Sequence, residues 1–138
     1  MRIPIAATVL SLTTSAIAGS PASVDPIIHS SKTIADQPIT LPQGPVEVSA
    51  SIFTIQPGAS LPVHRHAFPR YGYVLTGTLS VNNLETGKTQ EFHSGEFIIE
   101  SISKWHSGSN SGKEPLELLV IDQAPAGAQT TEVKPQQD

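Results

Sequence analysis

The chemistry available to this chain is concentrated in a few histidines. His64 and His66 stand one residue apart in "PVHRHAFPR", and His106 appears further on in "SKWHSGSN". In a strand, residues i and i+2 share a face, so His64 and His66 would project together with Arg65 opposite. Two imidazoles on one rigid strand suit a divalent metal, although a lone His-x-His also occurs on surface strands by chance. The sequence has no cysteine, which excludes disulfides, thiolate zinc sites and a cysteine nucleophile. Any metal must therefore be held by nitrogen and oxygen. His29 lies in an N-terminal arm and His93 at an "HSG" turn, and both read as solvated. Lys88 and Lys104 read as surface charges.

The elements that would position these side chains are strands. The 138 residues support one domain, and twelve prolines with ten glycines suit many short elements joined by turns. "VEVSASIFTI" (46–55) and "YGYVLTGTLSV" (71–81) alternate with a period near two, and "KTQEF", "EFIIE" and "PLELLVIDQ" follow between turn signals. In "PLELLVI", Leu116, Leu118 and Val120 share one face while Leu119 and Ile121 share the other, as where both faces are partly covered. No helical spacing competes in residues 19–138. The pattern predicts an all-β domain, a closed barrel or double-sheet roll. The net charge of −4 is spread without a basic stripe, so nucleic acid is not an expected partner.

The first residues read "MRIPIAATVLSLTTSAIAGS": a positive start, an apolar middle and small-x-small at Ala16–Ala18. That is the pattern of a secretory signal peptide, too short and polar for a comfortable membrane span. The expected organisation is a signal peptide at 1–18, an extended arm or linker at 19–36, the β-barrel at 37–124 and a flexible tail at 125–138. The mature protein is expected to be exported to the periplasm or medium, without a membrane span.

Gly58, His64, His66, Arg70 and Gly77 follow the spacing G-x5-H-x-H-x3-R-x6-G, and Gly95, His106 and Asn110 follow G-x10-H-x3-N. These resemble the two motifs of the cupin superfamily, and the chain looks like a small bacterial monocupin. Ser101 and Ser103 stand where the second motif usually has Pro and Gly, and Arg70 stands where the first has Glu. The resemblance implies a double-stranded β-helix, a jelly-roll-like barrel with a metal inside it. It carries His64, His66 and His106 onto the three histidine-ligand positions. The implied cofactor is a divalent transition metal, Fe2+ first, with Zn2+, Ni2+, Mn2+ and Cu2+ as alternatives that imidazole also suits. Cupins commonly pair through sheet edges and N-terminal arms, so a homodimer is expected.

Arginine has no acceptor and stays protonated, so Arg70 cannot ligate a cation. The expected site is then a neutral three-histidine set whose dipositive charge the protein does not offset. Arg70 reads as pointing outward after Pro69. The alternative is an inward guanidinium that holds a substrate carboxylate bidentately. Glu100 ends the apolar "FIIE" run, where an unpaired buried carboxylate is costly. It is a candidate general base or auxiliary ligand, or an ordinary strand-edge residue. Tyr71 could place a phenol near the metal, and Trp105 is expected to line or lid the mouth and touch substrate. The expected function is metal-dependent oxidation of a small organic molecule, of dioxygenase type. The alternatives are a non-catalytic cupin that binds a metal or small ligand, and a metal-dependent isomerase or lyase.

Overall fold

Among the described residues, alternating side chains in nine strands build two antiparallel sheets. The computed structural model describes residues 22–136; the expected signal peptide, residues 1–18, lies outside them. One sheet holds β1 (Val46–Ile55), β8 (Leu116–Pro125), β3 (Arg70–Thr76) and β6 (Phe97–Ile99), in that order. The other holds β5 (Thr89–His93), β4 (Thr78–Asn83), β7 (His106–Asn110), β2 (His64–Arg65) and β9 (Glu132–Val133). No helix forms among the described residues, and none of their segments is a helix long and apolar enough to cross a membrane.

The core lies between the sheets. Ile55, Val74, Ile98, Leu116, Leu118 and Val120 from the first sheet meet Leu79 and Val81 from the second. Each large aliphatic side chain so buried contributes about 1.5–3 kcal/mol. In β3 the inward residues are Arg70, Gly72 and Val74, all buried, while Tyr71 and Tyr73 point to the outer face. The run expected as one strand at 71–81 divides at Gly77, whose φ is 85°. A Cβ there would lie 2.9 Å from the Leu116 Cα, so position 77 needs glycine for both conformation and space.

Asn110 is buried and donates to the carbonyls of Ile55 (2.9 Å) and Glu114 (2.7 Å) while accepting from the Gly112 amide. It thus ties the turn before β8 to the end of β1. Ser103 holds a left-handed φ of 57° at a position where the cupin motif has glycine, and its amide donates to the His66 carbonyl at 2.7 Å.

Both ends of the described chain are more structured than composition indicates. The expected arm docks through residues 33–37: the Ile34 amide bonds the Ile99 carbonyl at 2.9 Å, and the Gln37 side chain brackets Ile102 with two hydrogen bonds. The expected flexible tail is corrected, because Glu132 and Val133 form β9 on the edge of β2. Arg65 fixes it through a two-pronged pair with Glu132 at 2.8 and 3.0 Å. A polar sequence can still join a sheet when a strand edge offers unpaired backbone groups.

Candidate metal centre

Strand pairing assembles the histidines. His64 in β2 lies directly opposite His106 in β7, and His66 continues just past β2, bridged to Ile102. The three rings sit with centroids 4.5–5.0 Å apart, and all three are buried. Each Nδ1 faces a backbone carbonyl: His64 that of Pro62 at 2.6 Å, His66 that of Thr130 at 3.1 Å, and His106 that of Lys104 at 2.9 Å. A carbonyl can only accept, so each Nδ1 carries a proton; Nε2 of His64 and His66 keeps its lone pair for the interior, and Nε2 of His106 faces Glu100 at 3.2 Å. Histidines that ligate metals are oriented in this way.

Glu100 is the fourth member. Its Oε2 lies 3.1 Å from His66 Nε2 and 3.2 Å from His106 Nε2, and the donor atoms of all four residues fall within 4.8 Å of one another. It follows β6, which pairs with β3, and its amide donates to the Arg70 carbonyl at 3.0 Å. The carboxylate missing from position 70 is thus supplied by the adjacent strand. Where the sequence points to a neutral three-histidine set with Glu100 as an auxiliary candidate, three imidazoles and one carboxylate converge, and the carboxylate would offset one charge of a divalent cation.

The donor set fits such a cation. His66 Nε2 is close enough to Glu100 for an ion pair but lacks hydrogen-bond geometry. Among the described residues it is a buried side-chain polar atom with no partner. Burial is the main cause pushing His64 down to about 4, against its bond to Pro62, and this keeps the ring neutral. Burial alone would raise Glu100, but the hydrogen bond from His106 and the closeness of the His66 ring outweigh it and hold the carboxyl below its usual range. Burial also works to lower His106, and the bond and charge of Glu100 overcome it and raise the imidazole. An entering cation therefore competes with the proton that His106 and Glu100 share. Beside these groups is a void of about 20 Å³, the scale of one water or ion.

The other expected site residues are placed differently. Arg70 is buried, not turned outward as expected: its Nε and Nη2 donate to the two Asp122 oxygens at 2.7 and 2.8 Å. That pair occupies the edge of the guanidinium that a substrate carboxylate would need for two-pronged binding. Tyr71 lies on the opposite face of β3, with its ring 6.0 Å from Phe97, and cannot reach the centre from there. Trp105 also faces outward. Because His106 points in, the preceding residue points out, and Arg65 covers the indole at 4.4 Å with Lys134 at 5.9 Å. It braces β9 and does not lid a mouth.

Residues that sequence reasoning passed over are Asp122, Thr130 and Thr131. The Thr130 carbonyl orients His66, its hydroxyl lies 3.4 Å from Arg70 Nη2, and Thr131 lines a cavity of about 160 Å³ beside His64 and Arg70. Removal of residues 126–138 is expected to lower metal affinity by about tenfold to a hundredfold, because His66 loses its acceptor. Competition with a chelator reads the change, and near-ultraviolet circular dichroism checks that the barrel persists. Unchanged affinity in a folded truncate would show that the Thr130 carbonyl does not orient the ligand.

Comparison with known proteins agrees with the fold. A Lactobacillus farciminis oxalate decarboxylase, solved as a formate complex, matches with a TM-score of 0.53 and 28% identity. The match covers 62% of this chain but 26% of that one, so the chain spans about a quarter of the enzyme. A Klebsiella pneumoniae protein with a double-stranded β-helix domain matches over 71% of this chain and 91% of its own, with a TM-score of 0.53 and 18% identity. No curated protein matches. The cupin domain model matches residues 51–122, which include both histidine segments, Glu100 and the strands that carry them. The chain belongs to the cupin domain family.

Proposed function

We propose that the protein is a metal-dependent enzyme that oxidatively transforms a small organic acid, with Fe2+ or Mn2+ held by His64, His66, His106 and Glu100. The observation that carries this reading is the convergence of Glu100 with three histidines whose Nδ1 atoms all face carbonyls. A bound metal would supply Lewis-acid and one-electron redox chemistry. The chain's residues provide the rest. The three backbone acceptors hold the imidazoles in their ligating tautomer. Glu100 removes one unit of charge, and Leu61, Leu79, Val81 and Leu118 line the void and limit water. The adjacent cavity has Arg70 at its margin, which favours an anionic substrate. The likeness to an oxalate decarboxylase solved with formate supports small carboxylates as the class.

The test is metal reconstitution followed by oxygen-uptake measurement with a panel of small organic acids. One metal per chain and acid-dependent oxygen consumption are expected. Failure to retain Fe2+ or Mn2+ would refute the centre. Acid conversion without oxygen consumption would replace oxidation by Lewis-acid chemistry, and metal retention without any conversion would leave a binding protein.

A further inference from the structure

The cavity beside the metal centre is chemically lopsided. Its lining is apolar at Phe53, Leu61, Pro62 and Val133 and polar at Thr131, His64 and Arg70. Arg70 Nε and Nη2 are taken by Asp122, and Nη2 also approaches Thr130. Nη1 makes no hydrogen bond to a described residue, and it is not among the buried polar atoms that lack a partner. Arg70 lines the cavity, and Nη1 is the part of its guanidinium that Asp122 and Thr130 do not engage.

Charge sets a second condition. Arg70 and Asp122 cancel, and Glu100 offsets one of the two charges on a divalent metal, so the loaded site retains one positive charge. A monoanion neutralises it. A small dianion would leave an excess negative charge, and its polar body would leave Phe53, Leu61 and Val133 without apolar contacts. The cavity of about 160 Å³ has room for a small organic acid.

Resting on the metal-centre reading above, we propose that this cavity takes a monocarboxylic acid with a short aliphatic body. Its carboxylate lies between Arg70 Nη1 and the centre beside His64. Its body packs on Phe53, Leu61 and Val133. Selection against compact dicarboxylates follows from the apolar walls and from the single uncompensated charge.

Calorimetric titration of the Mn2+-loaded protein under anaerobic conditions tests this, with 4-methyl-2-oxopentanoate and oxalate as probes. The branched monoacid is expected to bind at least about tenfold more tightly than oxalate. Val133 is an exposed strand residue, so Val133→Trp fills the cavity from its edge without disturbing the core. It is expected to abolish monoacid binding with metal stoichiometry kept. Arg70→Gln should weaken the monoacid by a similar factor if the variant folds, and Val133→Trp decides the matter if it does not. Equal or tighter oxalate binding, or a Val133→Trp protein that binds the monoacid normally, overturns the proposal with the metal centre left standing. Loss of Mn2+ binding in the parent protein overturns both.

Discussion

Glu100→Gln is expected to lower affinity for Mn2+ or Fe2+ by about a hundredfold or more, beyond the range usual for residues that only orient a ligand. Glutamine keeps the shape and one oxygen donor but removes the charge. The remaining set would be three neutral imidazoles around a dipositive ion in a buried site, where Coulomb energies are several times their value in water. The chain should still fold, since Glu100 is not part of the apolar core. Chelator competition measures the loss, and His64→Ala gives the scale for removal of a histidine ligand. If Glu100→Gln binds metal as tightly as the parent, the carboxylate is not a ligand and the site returns to three histidines.

The second large effect is on stability. Asp122→Ala leaves the buried guanidinium of Arg70 without its two-pronged partner, and breaking such a pair typically costs about 3–5 kcal/mol. The two side chains are 7% and 13% exposed, so solvent offers little compensation. Denaturant unfolding of the metal-free protein should show the midpoint fall. The double variant Arg70→Met/Asp122→Leu should recover most of the loss, because it removes both charges together. A fully stable Asp122→Ala protein would mean that the pair is not what holds Arg70. Arg70→Glu is not expected to rebuild a four-ligand centre, since Glu100 already stands beside the three histidines. It would set a new carboxylate against Asp122 and Glu100, and destabilisation with weaker metal binding is expected.

What the sequence made legible, and what it hid, follows the range of the interactions involved. His-x-His, the glycine at 77 and the alternating apolar runs are local, and they point to an all-β barrel of the cupin type. Glu100 was visible as an acid ending an apolar run. Its convergence with the histidines depends on the pairing of Tyr71 with Ile99, which no local pattern encodes. Arg70 looked solvent-directed because Asp122, 52 residues away, could not be recognised as its partner. Parity was an available signal that would have placed two aromatics: with Val74 and His106 facing in, Tyr71 and Trp105 must face out. Strand β9 has two residues of unremarkable composition, and only the free edge of β2 gives it a place.

The pairing of β2 with strands far along the chain has a kinetic consequence. His64 and His66 are neighbours in sequence, but the carbonyl that orients His66 belongs to a residue 64 positions later, and His106 reaches His64 only when β7 docks. In small zinc modules the ligands are close enough in sequence for the ion to nucleate the fold. Here an ion meeting the unfolded chain finds two histidines without their supporting shell. The barrel must close around its aliphatic core unaided, at the slow pace of non-local strand pairing, before the centre exists. A metal bound at this centre would therefore be the last component to arrive, and it would stabilise the finished protein by mass action without directing its folding.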